Sequence, residues 1–142
     1  MLGRDEIARR IPHGGAMCLL DRVESWSDRD IRCIATTHRD PAHPLREESG
    51  LAAWAGIEYA AQAAAVHGSL AAGEGPPRQA VLGRVRDVVP GCDRLDAIAD
   101  ELLLEASLVH RDPAGAVYTF DVRGEGRSLL AGQFTLMYRA PA

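Results

Sequence analysis

Residues Gly50 to Gly73 read GLAAWAGIEYAAQAAAVHGSLAAG. Alanine dominates, proline and runs of β-branched residues are absent, and the polar side chains of any size are Glu58, Gln62 and His67. Alanine loses no side-chain entropy on entering a helix and is the best helix former, so the stretch predicts one long helix from Gly50 to Gly73. At 1.5 Å rise per residue it would span roughly 33 Å, the width of a small domain. A helix apolar on nearly every face belongs inside, where its small side chains let neighbouring backbone come close. Glu58 stands out in that setting. Burial penalises the charged carboxylate, so an acid there calls for a partner or a chemical task.

The remaining composition sets outer bounds. A chain of 142 residues suits a single domain, 1–142, with an adequate core. Its formal net charge of -4 argues against a nucleic-acid partner, which would call for a basic excess. All sixteen basic residues are arginine, a bias read as compositional. Cys18, Cys33 and Cys92 are odd in number and lack C-x-x-C spacing, which predicts free thiols in a reducing cytoplasm. Met1 is followed by charges rather than an apolar leader, and the alanine-rich helix is too weakly hydrophobic for a membrane span, so a soluble cytoplasmic protein is expected.

Outward from the helix, GRDEIARRI (3–11) spaces Ile7 and Ile11 four apart among charges, a short amphipathic helix ended by Pro12. His13, Gly14 and Gly15 form a turn. AMCLLDRVESW and DIRCIATTH flank a Ser27-Asp28 turn and predict two adjoining strands. RDPAHPLREES (39–49) is a loop, with Ser49 a candidate helix N-cap. Beyond the helix, GEGPP is a breaker, and four segments follow as strands: QAVLGRVRDVV, DELLLEASLVH, AVYTFDVRGEG and SLLAGQFTLMYR. ELLLEASL has helical propensity, but its place between turn signals favours a strand. The expected class is α+β: a six-strand antiparallel sheet curled around one buried helix. Its free edges and half-covered helix predict dimerisation through a continuous sheet.

Two stretches carry a family resemblance. IPHGGAMCLLDRV (11–23) is similar, without a gap, to the L-P-H-R-x-P-F-L-L-V-D-R-V opening of the FabZ family of 3-hydroxyacyl-acyl-carrier-protein dehydratases. GIEYAAQ resembles that family's L-E-A-M-A-Q, and VLGRVRDVVPGCDRL and LLAGQFTLM resemble its later strands. IEYAAQAAAVHG is closer to the divergent dehydratase-like proteins of aryl polyene clusters, the ApeP type. The resemblance covers most of the chain and implies the hotdog fold. It also implies elimination of water from a 3-hydroxyacyl thioester on acyl carrier protein, giving the trans-2-enoyl thioester in fatty acid or aryl polyene synthesis, with no cofactor. The assembly it implies is a homodimer or a trimer of dimers, or a hetero-oligomer with another hotdog subunit.

In the family a histidine acts as base near C2 and the helix carboxylate as acid near the C3 hydroxyl, the two coming from opposite subunits. By that resemblance Glu58 is the acid, and Gln62, one turn on, matches the motif glutamine. The oxyanion amide is expected five to six residues before the glutamate, at Ala52 and Ala53, where the family has Pro-Gly. The family's G-H-F-P motif is not kept; His43, in AHPLREE, stands one position from the expected spacing and is the candidate base. His13 matches a position bordering the site, for which a turn role is the stronger reading. His67 lies nine residues from Glu58, about 900° of helix rotation and so on the opposite face, and is expected to pack. His38 and His110 are expected to be exposed, and no ligand spacing points to a metal. Two rival functions stay open. One is a hotdog thioesterase working through the helix carboxylate alone, and the other is a catalytically silent subunit paired with an active sibling.

Overall fold

The computed structural model describes residues 2–11, 17–73 and 79–139. Its order is β1 (Leu2–Gly3), α1 (Arg4–Arg10), β2 (Arg22–Trp26), β3 (Asp30–Ala35), α2 (Gly56–Ala72), β4 (Ala80–Pro90), β5 (Leu102–Asp112), β6 (Gly115–Gly124) and β7 (Arg127–Tyr138). Single 3₁₀ turns cover Thr37–Arg39 and Ala53–Ala55. All pairings are antiparallel and join the strands into one sheet, ordered β1-β2-β3-β5-β6-β7-β4. The α+β hotdog arrangement follows: the sheet curls around α2, whose Tyr59, Ala60, Ala63, Ala64, Val66 and His67 are buried against it.

Local chemistry explains most boundaries. In α1, Ile7 is buried while Glu6 bonds both Arg9 and Arg10 one turn on, and Ile11 is extended, as a residue before proline prefers. Ser27 closes the β2–β3 hairpin by accepting the Arg29 and Asp30 N–H groups on its hydroxyl. Alternation along β6 sends Ala116, Tyr118, Phe120 and Val122 inward, onto Phe134 of β7 and the helix. Gly56 is a close approach, because a Cβ there would stand 3.1 and 3.2 Å from Leu130 and Val122 side chains.

Five expectations are corrected. The helix begins at Ala53–Gly56 rather than Gly50, because Gly50 takes a left-handed φ of 111° and the next residues are pinned elsewhere. The Leu51 N–H donates to Asp96 Oδ1, Ala52 bridges Arg94, and the Ala53 N–H donates to the Asp93 carbonyl. Ser49 is therefore no N-cap, and no side chain caps the helix start. A seventh strand, the two-residue β1, precedes the six expected. Cys18, Leu19 and Leu20 are buried but run outside any strand. His38, expected to be exposed, is fully buried with its Nε2 on the Ile98 carbonyl. Gly73 ends α2 at φ 81°, while most of the GEGPP breaker and the His13 turn lie outside the described residues.

β4 forms one edge of the sheet. Val81, Leu82, Val85 and Val89 along it are between 37% and 66% exposed, an apolar margin with no covering strand among the described residues. No described helix is long and apolar enough to cross a membrane.

Candidate active site

Glu58 sits in the first turn of α2, half-buried, with Ala61, Gln62 and Ala65 following it along the same side of the helix. These four form one wall of a cleft closed by Ile11, Ala80 and Leu82 of β4, and Leu136 of β7. Apart from Glu58 and Gln62 the lining is aliphatic. Its volume is about 60 Å³, enough for a few water molecules but not for an acyl chain. The cleft opens beside the exposed β4 edge, so a body placed against that edge would deepen it.

Gln62 is 3% exposed and both ends of its amide are engaged. Its Nε2–H donates to the Met17 carbonyl at 2.6 Å, and its Oε1 accepts from the Leu19 N–H at 2.9 Å. The side chain thus takes the part of a neighbouring strand and fastens residues 17–19 to the helix. Ala53, expected as an oxyanion donor, is buried, and its N–H is directed to the Asp93 carbonyl at 3.0 Å. His13 lies outside the described residues.

His43 is placed away from the cleft lining, on the Tyr59 side of the helix. Its ring is 6% exposed, and one chain of hydrogen bonds fixes the direction of every proton. Thr37 has a single hydroxyl proton and donates it to the Leu19 carbonyl at 2.7 Å. The Tyr59 hydroxyl, 2.7 Å from Thr37 Oγ1, must then be the donor between them. His43 Nε2, 2.9 Å from the Tyr59 oxygen, therefore carries a proton and donates. Its Nδ1 is the acceptor, and the Leu45 N–H fills it at 3.0 Å. This is a neutral imidazole in one tautomer with both nitrogens engaged. Burial lowers its pKa, with Asp40 opposing in part, which favours that neutral form.

A second relay crosses the far end of α2. Arg111 donates to the Tyr118 hydroxyl at 2.6 Å, Tyr118 donates to His67 Nδ1 at 2.6 Å, and His67 Nε2–H donates to the Ser27 carbonyl at 2.8 Å. His67 is fully buried, as the rotation argument expected of a packing residue. His110 is exposed beside Asp112. Cys18, Cys33 and Cys92 are free thiols.

Glu58 and Gln62 are thus brought into one cleft, while His43 and Ala53 are engaged elsewhere. The sequence reading missed Thr37 and Tyr59. The signal was available in Tyr59, since a tyrosine on a buried helix face needs a hydrogen-bond partner for its hydroxyl.

Comparisons with known proteins bear on the family and the fold. The model of the ApeP-like family, described as ApeP dehydratase, matches residues 5–140. No curated protein matches the chain significantly. Among solved structures, the dehydratase heterocomplex ApeI:P from Xenorhabdus doucetiae superposes with a TM-score of 0.82 at 24% identity, covering 94% of this chain and 91% of that one. A protein from Helicobacter felis gives 0.66 at 12% identity over 98% and 91% of the two chains. A thioesterase from Haemophilus influenzae gives 0.61 at 13% identity over 83% and 77%. At these identities the superpositions establish the shared fold.

Proposed function

We propose, on the premise that this chain belongs to the ApeP-like family of dehydratases, that it eliminates water from 3-hydroxyacyl thioesters presented by acyl carrier protein. The products are trans-2-enoyl thioesters, made as an aryl polyene chain is extended. The observation that carries this reading is Glu58: a carboxyl group in an aliphatic cleft, held on the first turn of a buried helix. In its protonated form Glu58 gives a proton to the C3 hydroxyl, the C3–O bond breaks, and water leaves. A base takes the C2 proton, and that electron pair becomes the C2–C3 double bond.

His43 was the candidate for that base. Its only basic lone pair, on Nδ1, is held by the Leu45 N–H, so we assign it a positioning role through Tyr59, the residue next to Glu58. The base then comes from a second subunit seated along β4. The relative named as a heterocomplex supports a different hotdog chain as that subunit. A homodimer or trimer of dimers uses the same edge. We place the protein in the cytoplasm, where carrier-bound thioesters are made.

The test is product analysis. Incubation of a 3-hydroxyacyl carrier thioester with the chain co-expressed with a hotdog sibling should give the enoyl thioester, and the chain without the subunit that supplies the base should give little. Glu58→Gln keeps the volume but cannot donate an acid proton, and should lower the rate by about 10²–10⁴-fold with the fold intact. Free carboxylic acid as the main product would overturn dehydration in favour of the thioesterase reading.

A further inference from the structure

Trp54 is an exposed indole, at 56%, on the 3₁₀ turn that leads into the first turn of α2, a segment otherwise built of alanine and glycine. Its indole N–H has no hydrogen-bond partner, and its ring stacks on no other, among the described residues. The backbone that carries it is nevertheless fixed. The Ala53 N–H is tied to Asp93, the Ala55 N–H to Ala52, and the Gly56 N–H to Ala53 and Trp54. A rigidly mounted, unpaired indole adds nothing to the core. It stands four residues before Glu58, on the 3₁₀ turn that runs directly into the first turn of α2, where Glu58 sits.

We propose that Trp54 is a specificity residue of the dehydration site, its ring face stacking on the conjugated part of an aryl or polyenoyl acyl group while Glu58 acts on the adjacent hydroxyl. The proposal rests on the dehydratase reading and extends it to the acyl group selected. A flat π system gains from an offset-stacked indole beyond what apolar area gives, whereas a saturated chain gains only the area term. Substrates with an aryl or polyene tail should therefore depend on this residue and saturated ones should not.

Two measurements test it on the assembled protein. Trp54→Leu keeps an apolar side chain and removes the π face. It should raise KM for an aryl-polyenyl 3-hydroxyacyl carrier thioester on the order of 2–10-fold, with kcat little changed, and leave KM for a saturated 3-hydroxyacyl analogue as it was; Trp54→Phe should restore most of the loss. Cinnamoyl pantetheine, whose conjugated acyl group can quench indole fluorescence, should quench the wild type and the Trp26→Phe variant, but not Trp54→Phe. Trp26 lies on β2, which contributes nothing to the cleft lining, whereas Trp54 is on the turn leading into the helix that carries Glu58. Equal losses for conjugated and saturated substrates, or quenching that survives Trp54→Phe, would overturn the proposal. Dissociation of the Trp54→Leu complex in sedimentation would make Trp54 a subunit contact and overturn it too. The dehydratase reading fails separately, if wild-type protein turns over no 3-hydroxyacyl thioester of either kind.

Discussion

Replacing Tyr59 by phenylalanine removes one oxygen from the centre of the His43–Tyr59–Thr37 relay and nothing else. Thr37 keeps its bond to the Leu19 carbonyl, whereas the His43 Nε2–H is left without an acceptor in a site only 6% exposed. An unsatisfied buried donor costs about 1–3 kcal/mol, so we expect a loss of about 2 kcal/mol and a fall in Tm of about 4–8 °C. Urea denaturation at fixed protein concentration measures it. The double variant Tyr59→Phe/His43→Leu removes the orphaned donor together with its partner. Its cost should therefore fall short of the summed single costs by about 0.5–3 kcal/mol. Rates read the same variants chemically. If His43 positions the helix turn through Tyr59, then His43→Ala and Tyr59→Phe should lower kcat by comparable small factors. A His43→Ala loss of about 10²–10⁴-fold beside a near-normal Tyr59→Phe rate is what a catalytic base would give, and would refute the positioning role. Additive stabilities in the double variant would refute the relay itself.

Two further outcomes are expected. Burial lowers the pKa of His38, His43 and His67, so the unfolded chain binds protons that the folded one does not. Stability from these groups is full above the unfolded value near 6.5 and is lost as pH falls below it, by up to about 1.4 kcal/mol per pH unit for each histidine. Urea midpoints equal at pH 7.5 and pH 5.5 would show that their burial does not matter. On β4, Val85→Glu with Val89→Glu puts two carboxylates on the exposed sheet edge. Sedimentation should then show the single chain where wild type shows a complex, and an unchanged assembly would remove the edge from the interface.

The alanine-rich run made the central helix legible because propensity and burial agree there, and Glu58 was legible for the converse reason, as a carboxylate set against its surroundings. The strands after the helix were legible from alternation bounded by turns, including β5, whose helical propensity lost to its position in the sheet. The helix start was not, because what unwinds residues 50–52 is distant in sequence. Asp96, almost fully buried, takes the Leu51 N–H, Arg94 and Arg46 together, and Arg94 above all holds its carboxyl well below the usual range. A Cβ on Gly50 would lie 2.6 Å from Arg94 and 2.7 Å from Asp96, so the glycine serves the ion pair rather than the helix.

His38 and His43 show the same limit from the side of the site. Nothing within ten residues of His38 announces the Ile98 carbonyl that receives its proton, sixty positions away. In the family pattern a histidine near residue 43 serves as base, and spacing alone would assign it that task. Whether such an imidazole can accept a proton depends on who holds its lone pair. Here the Leu45 N–H occupies Nδ1, and the Tyr59 oxygen, whose own proton goes to Thr37, accepts the ring's one N–H proton from Nε2. The same helix turn then divides its labour between neighbours: Tyr59 faces inward and ties the loop to the core, and Glu58 faces the β4 edge. On the proposed mechanism a second chain sits along that edge and brings the base to Glu58, so the proposal makes subunit pairing a condition of catalysis.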